Sequence, residues 1–271
     1  SVFSTPEIES EKVNELSARL LEVTEALKKS NDELRRVQRE REEMLSNISH
    51  DLRAPLTAIR SAMDCLSLES LTEEERKQYL GTMDRRMKTL ENLVADMYYL
   101  FCVEDTGKKL DFVKVSAAPF FEEYFIDATT DERYDTKDMQ LDLDESLDAE
   151  INIDIQKIIR VLDNLFTNAA KYSDDGAMIK LSVVPVNGFL QVSVRDTGMG
   201  IPEEDVKNVF GRTFTVSSAR TPNSATGSGL GLSIAKAIIE RHGGTIDCES
   251  KLGEGTCFTF TLPVVTEQQN L

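Results

Sequence analysis

The chain is poor in histidine, in paired cysteine, in positive charge and in long apolar runs. Only His50 and His242 occur among its 271 residues. With so few imidazoles no Ser-His-Asp triad offers itself, and a His/Cys zinc site is poorly served. The four cysteines, Cys65, Cys102, Cys248 and Cys257, form no CxxC pair. A chain of this length does not need disulfide staples, so they are expected as small apolar fillers in a reducing compartment. Lys and Arg number 31 against 48 Asp and Glu, a net charge of −17. That deficit argues against non-specific nucleic-acid binding, which requires a basic face to release counterions. A phosphate ligand would have to be held by local backbone donors or a metal, against the long-range field. No apolar run reaches the roughly 18 to 20 residues that span a bilayer, and no signal peptide is visible. The chain starts at Ser1 and not at Met. An excised piece with a cytoplasmic setting is expected, touching a membrane only through a segment upstream.

What is abundant is helix-forming charge. Residues 7–45 contain no glycine, and apolar or small residues fall at Val13, Leu16, Leu20, Val23, Leu27, Ser30, Leu34 and Val37. The alternating steps of three and four are a heptad seam and predict a parallel coiled coil. A lone helix would leave that seam in water. Arg41 interrupts it, and the stripe resumes in a new phase at Leu45, Ile48, Leu52, Leu56, Ile59, Met63 and Leu66. A second helix starts at the capping box Thr72–Glu75 and carries Leu80, Met83, Met87, Leu90, Val94 and Met97. The short link predicts an antiparallel hairpin. Two helices cannot bury both stripes, so a dimeric four-helix bundle is expected. After Gly107 the pattern changes to short alternating runs, at 139–144, 178–184, 190–196, 244–250 and 256–262, with helices at 154–172 and 230–242. This is α/β layering with a mostly antiparallel sheet. The polar, aperiodic stretch 213–228 reads as a mobile loop. The boundaries expected are 1–45 for a coiled-coil linker, 46–107 for the bundle, 108–266 for the α/β domain and 267–271 for a tail.

The histidine stands in "SHDLRAPLT". At about 100° per residue, His50 falls opposite the centre of its helix's apolar stripe and faces outward. Pro55 removes the hydrogen bond to the carbonyl of Asp51, at a cost of about 3 kcal/mol in an ordinary helix. An idle surface histidine is the plain alternative, but the strain falls in the turn that carries the His-Asp pair. An exposed neutral imidazole is nucleophilic near pH 7, and the adjacent carboxylate can take the other ring proton.

Three further segments carry polar chemistry. "DNLFTNAAKYS" places Asn164 and Asn168 on one helix face, followed by Lys171 and Tyr172. Amide oxygens there can reach a hard cation, although a solvated polar face is the plain alternative. "RDTGMGIP" puts Asp196 at a strand end before Gly198 and Gly200. The carboxylate can accept from an exocyclic amine, while the run alone is also compatible with an ordinary turn. "GSGLGLS" (Gly227, Ser228, Gly229, Leu230, Gly231) opens a helix whose first N–H groups suit phosphates. It lacks the preceding strand of a dinucleotide fold and the Gly-Lys-Ser/Thr of a P-loop. His242 closes that helix and reads as a C-terminal cap in the favourable dipole position.

Taken in order, these segments over residues 44 to 265 resemble the catalytic core of sensor histidine kinases of two-component signalling. "SHDLRAPLT" resembles the phospho-acceptor box, "NLFTNAAKYS" the N box, "DTGMGIP" the G1 box, "VFGRTF" the F box and "GSGLGLS" the G2 box. The resemblance implies a dimeric four-helix bundle followed by a two-layer α/β sandwich that binds ATP and Mg²⁺. It implies His50 as phosphoryl acceptor, Asp51 as base, Asn168 as Mg²⁺ ligand supported by Asn164, and Lys171 and Tyr172 lining the nucleotide. Asp196 would read the adenine amine, and Gly227, Gly229 and Gly231 would flank the phosphates. Loop 213–228 would be the lid. The partners implied are a second copy of the chain and a response regulator. Two positions depart from the family pattern. Ala54 stands where phosphatase-competent relatives carry Thr or Asn, which implies weak phosphatase activity. Thr215 stands where the F box commonly has a basic residue, leaving Arg212 and Arg220 to serve the phosphates. A GHKL-type ATPase, a degenerate dimeric scaffold and a coiled-coil adaptor are the rival readings; His50, Asp51 and Pro55 favour the kinase.

Overall fold

The computed structural model describes residues 6–68, 71–104, 109–144, 147–211 and 229–265. The chain divides into two compact units, Ser1–His50 and Asp51–Leu271. The first unit is helical and belongs to α1, Pro6–Leu66. Its seam residues Val13, Leu16, Leu20, Val23, Leu27, Leu34 and Val37 are 53% to 70% exposed. Among the described residues nothing covers the heptad stripe.

Helix α1 continues through Pro55. Buried positions on it are Met44, Ile48, Pro55 and Ala62, whereas Leu45, Leu56 and Met63 are exposed. The apolar stripe expected as one band therefore splits between two adjacent faces. An exposed row of Leu45, Leu56 and Met63 beside a buried row of Met44, Ile48, Pro55 and Ala62 can serve two neighbours at once. Helix α2, Glu73–Glu104, starts as its sequence predicts. The Thr72 N–H and hydroxyl donate to Glu75 Oε2, each at 2.9 Å, and the Glu75 N–H returns a bond to Thr72 Oγ1 at 3.2 Å. The reciprocal bonds satisfy donors at the helix start that have no partner inside the helix, and they hold the Glu75 carboxyl below its ordinary pKa.

After the hairpin come β1 (Val113–Ser116), α3 (Ala117–Thr129), β2 (Asp138–Leu143), β3 (Glu150–Ile153), α4 (Ile155–Lys171), β4 (Met178–Val186), β5 (Phe189–Asp196), α5 (Glu203–Val206), α6 (Gly231–Arg241), β6 (Ile246–Lys251) and β7 (Gly255–Pro263). The main sheet has the order β2-β4-β5-β7-β6, parallel only between β2 and β4. A two-stranded antiparallel sheet pairs β1 with β3. Alternation sets the core. Ile179, Leu181 and Val183 on β4, Leu190, Val192 and Val194 on β5, and Phe258, Phe260 and Leu262 on β7 are all buried. Their cross-strand pairs, such as Leu181 with Val194 and Val192 with Phe260, put them on one face. Helix α4 meets that layer with Ile158, Val161, Leu162, Leu165, Phe166 and Ala169, spaced as one helical face. Helix α6 packs beside α4. Helices lie on one face of the sheet, giving the two-layer sandwich with a mostly antiparallel sheet that the sequence predicts. Among the described residues no helix is long and apolar enough to cross a membrane.

Candidate functional site

The same alternation that builds the core also places a carboxylate in it. Leu190, Val192 and Val194 face inward on β5, and two residues further Asp196 faces inward too, opposite Ile179. It is only 6% exposed. Its Oδ1 accepts the N–H of Gly198 at 2.8 Å and the N–H of Thr256 at 3.2 Å. Burial pushes its pKa up, and the two backbone donors pull it back. Oδ2 has no protein donor among the described residues. An oxygen left open on a largely buried carboxylate suits a ligand amine.

Close backbone approach explains the glycines. A Cβ on Gly198 would lie 2.3 Å from the carbonyl oxygen of Tyr172. Gly200 has φ +67°, and a Cβ there would lie 2.0 Å from the carbonyl oxygen of Lys251. Between them the Met199 N–H donates to Tyr172 O at 3.0 Å, and the Gly253 N–H to Met199 O at 2.7 Å. The loop after β5 is thus stitched both to the end of α4 and to the turn between β6 and β7.

The polar face of α4 lies across the site. Asn164 Nδ2 donates to Gly231 O at 3.0 Å, which fastens the middle of α4 to the first residue of α6. Asn168 is half-buried one turn further along the same helix. Lys171 holds its Nζ 4.9 Å from the centre of the Tyr172 ring. Helix α6 opens after Gly229, which has φ +64°, and the fully buried Leu230. Among the described residues, the N-cap residue Leu230 gives its first turn no side-chain hydrogen bond. Uncapped N–H groups at a helix start form an anion site. From the F-box segment, Val209 is buried and Phe210 packs edge-on against Phe258 at 6.1 Å. Arg212, Gly227 and Ser228, with the expected lid 213–228, Thr215 and Arg220, lie outside the described residues.

On α1, His50 is exposed, as its helical angle predicts, Asp51 is half-buried and Ala54 is exposed. The other histidine differs from expectation. His242 does occupy the C-cap position of α6, but it is 5% exposed, and burial lowers its pKa. Its Nδ1 lies 2.8 Å from Ile238 O, and its Nε2 accepts the Asp154 N–H at 3.0 Å. A ring that donates from one nitrogen and accepts at the other is neutral. The charge–dipole cap is therefore replaced by a neutral hydrogen-bonded one. Sequence reasoning also missed Thr256 as a donor to Asp196; the two meet only because β7 pairs with β5.

The comparisons agree with this geometry. Residues 153–266 match the family model described as histidine kinase-, DNA gyrase B- and HSP90-like ATPase, and residues 40–105 match the His kinase A phospho-acceptor domain. An ATPase domain of this class implies the use of ATP. The chain is 34% identical to sensor histidine kinase WalK of Bacillus subtilis over 99% of its own length and 43% of that protein. It is 31% identical to sensor histidine kinase YcbM of the same organism, over 82% of this chain and 71% of that protein. The solved structure of histidine kinase AdeS of Acinetobacter baumannii matches 80% of this chain and 98% of that one, with 25% identity and a TM-score of 0.61. Histidine kinase ThkA, solved in complex with response regulator protein TrrA, matches 86% of this chain and 66% of that one, with 26% identity and a TM-score of 0.67. The chain belongs to the sensor histidine kinase family. It spans about half or less of the first curated relatives it matches.

Proposed function

We propose that the chain is the cytoplasmic catalytic core of a sensor histidine kinase: it transfers the γ-phosphoryl group of ATP to His50 within a homodimer, and then onward to an Asp of a response regulator. The observation that carries this reading is the buried Asp196 carboxylate, which holds two backbone donors on one oxygen and offers the other at the end of β5. Its partner amine would be that of adenine. The open first turn of α6 faces the phosphates, with Gly227, Gly229 and Gly231 giving the backbone room. Lys171 and Tyr172 line the nucleotide, and Arg212 supplies positive charge to the phosphates. Asn168 has a half-buried amide and few competing ligands nearby: among the described residues no cluster of three acidic, His or Cys side chains forms. One amide ligand plus phosphate oxygens suits Mg²⁺, which usually keeps several waters. When bound, Mg²⁺ would neutralise charge on the phosphate oxygens. Asn164, already bonded to Gly231, keeps the two helices together and supports Asn168 indirectly.

On the acceptor side, Asp51 takes the ring proton as the exposed imidazole attacks phosphorus. The leaving group is ADP, so the bond between the β–γ bridging oxygen and the γ-phosphorus breaks as the N–P bond forms. Ala54, one turn beyond His50, offers no side chain to orient a water, so hydrolysis of the phospho-regulator is weak. The test is incubation with Mg²⁺ and ATP labelled at the γ-phosphate. Acid-labile, alkali-stable label on the chain, lost in His50→Gln, supports the kinase. ATP turnover without retained label sinks it in favour of a chaperone-type ATPase. Absence of ATP binding sinks it in favour of a scaffold.

A further inference from the structure

Helices α4 and α6 run antiparallel and are fastened at two points. At one end of α6, Asn164 Nδ2 donates to Gly231 O at 3.0 Å. At its other end, the Asp154 N–H, at the cap of α4, donates to His242 Nε2 at 3.0 Å. The first bond lies at the phosphate cradle itself. The second lies a full helix length away, at the far end of both elements. Between them the two bonds fix how far α6 slides or tilts along α4, and so where the amides around Gly229 and Gly231 stand relative to Asn168.

The far bond is well enclosed. Asp154 is 8% exposed, and its carboxylate is already occupied: Oδ1 accepts the Lys157 N–H at 3.3 Å and Oδ2 the Asp111 N–H at 3.2 Å. Phe112 closes the other side, its ring edge-on to the imidazole at 5.1 Å. The ring's remaining nitrogen is held by Ile238 O at 2.8 Å, within α6. The charged groups facing it are Asp154, from the α4 cap, and Arg241, from its own helix. Only a neutral ring with its proton on Nδ1 can accept the Asp154 N–H. Adding a proton to Nε2 turns that acceptor into a donor pointed at a donor.

Building on the nucleotide reading above, we propose that His242 is a positioning residue for ATP. Its neutral ring latches the C-terminal end of α6 to the N-terminal end of α4, and this latch holds the phosphate cradle in register with Asn168. Protonation of the ring opens the latch and weakens nucleotide binding without touching the nucleotide.

The experiment measures Mg-ATP affinity by calorimetry on the whole chain, for the native protein, His242→Gln and His242→Phe, at about pH 8 and about pH 5, the lower value lying below the ordinary histidine range because burial lowers the ring's pKa. Gln keeps an acceptor and a donor but cannot titrate; Phe keeps the ring shape but cannot accept. The native chain should bind several-fold more weakly at the lower pH, and His242→Gln should lose most of that decrease. Contributions from Asp196, His50 and ATP itself are common to both chains and cancel in the comparison. His242→Phe should bind roughly tenfold more weakly at both pH values, the cost of leaving the Asp154 N–H unpaired, while still melting cooperatively. Equal pH ratios in the native chain and His242→Gln overturn the proposal. Native affinity in a folded His242→Phe overturns it as well. If His242→Phe does not fold, the comparison with His242→Gln decides alone. Failure of the native chain to bind ATP at either pH would instead sink the nucleotide reading itself.

Discussion

Asp196 shows how much one residue draws from its strand. Because Oδ1 must accept from both Gly198 and Thr256, an amide placed there by Asp196→Asn keeps its oxygen on those donors and turns its NH₂ toward the ligand. Two amines then face each other. ATP affinity should fall by at least about tenfold, the scale of a lost buried hydrogen bond, with the fold intact by circular dichroism. Unchanged affinity would remove Asp196 from the site. The pH dependence follows from burial, which raises the folded pKa. Sign matters here: the folded state favours the protonated acid, so this group adds stability below its unfolded pKa and loses it as pH rises through the folded value. Nucleotide binding requires the carboxylate and moves the other way. On acidification, affinity should begin to fall above the ordinary carboxylate range while this residue's contribution to the fold improves. Titrating binding and melting together separates the two. The sequence places Asp196 at a strand end; only the structure shows that alternation with Leu190, Val192 and Val194 turns it to the core face. Its second donor, Thr256, is sixty residues away and was not legible in the sequence.

The helices and strands differ in how plainly their residues announce them. Long strands, the capping box at Thr72–Glu75 and the stripe of α4 are where the periodicity places them. The missed elements are short or disguised. Strands β1 and β3 have four residues each, too few for alternation to stand out. Helix α3 has Ala117, Phe121, Phe125 and Ala128 buried at helical spacing, and its Pro119 lies in the first turn, where the backbone N–H has no partner inside the helix. On α2 the exposed apolar residues Leu80, Met87 and Val94 recur every seven residues, and on α1 so do Leu56 and Met63. A band with that period suits a second copy of the chain. Met87→Glu should convert a dimer to a monomer in light scattering with little loss of helix. A charged variant that remains dimeric at micromolar concentration would place the interface elsewhere.

At the scale of the whole molecule, the unit Asp51–Leu271 joins the α2 helix to the sandwich. Arg160 on α4 donates to Asp96 Oδ1 on α2 at 2.5 Å, with both side chains mostly covered. Two cations lie over the Tyr99 ring, Lys157 Nζ at 4.3 Å and Arg160 Cζ at 3.9 Å from its centre. Cation–π contacts of this kind add to the ion pair. A double-mutant cycle of Asp96→Asn and Arg160→Gln should give a coupling energy of about 1 kcal/mol, the range for a partly covered pair. Zero coupling would show that the contact does not persist in solution. The sequence alone determined the order of the parts: a heptad seam, an outward histidine beside a carboxylate, and three polar segments distributed over an alternating α/β pattern. These follow from local periodicity and from the chemistry of each short run. The tertiary structure alone decided which of the segments meet. It closed Thr256 onto Asp196, Asn164 onto Gly231 and His242 onto Asp154, because strand pairing and helix packing bring together residues that the linear pattern leaves unrelated.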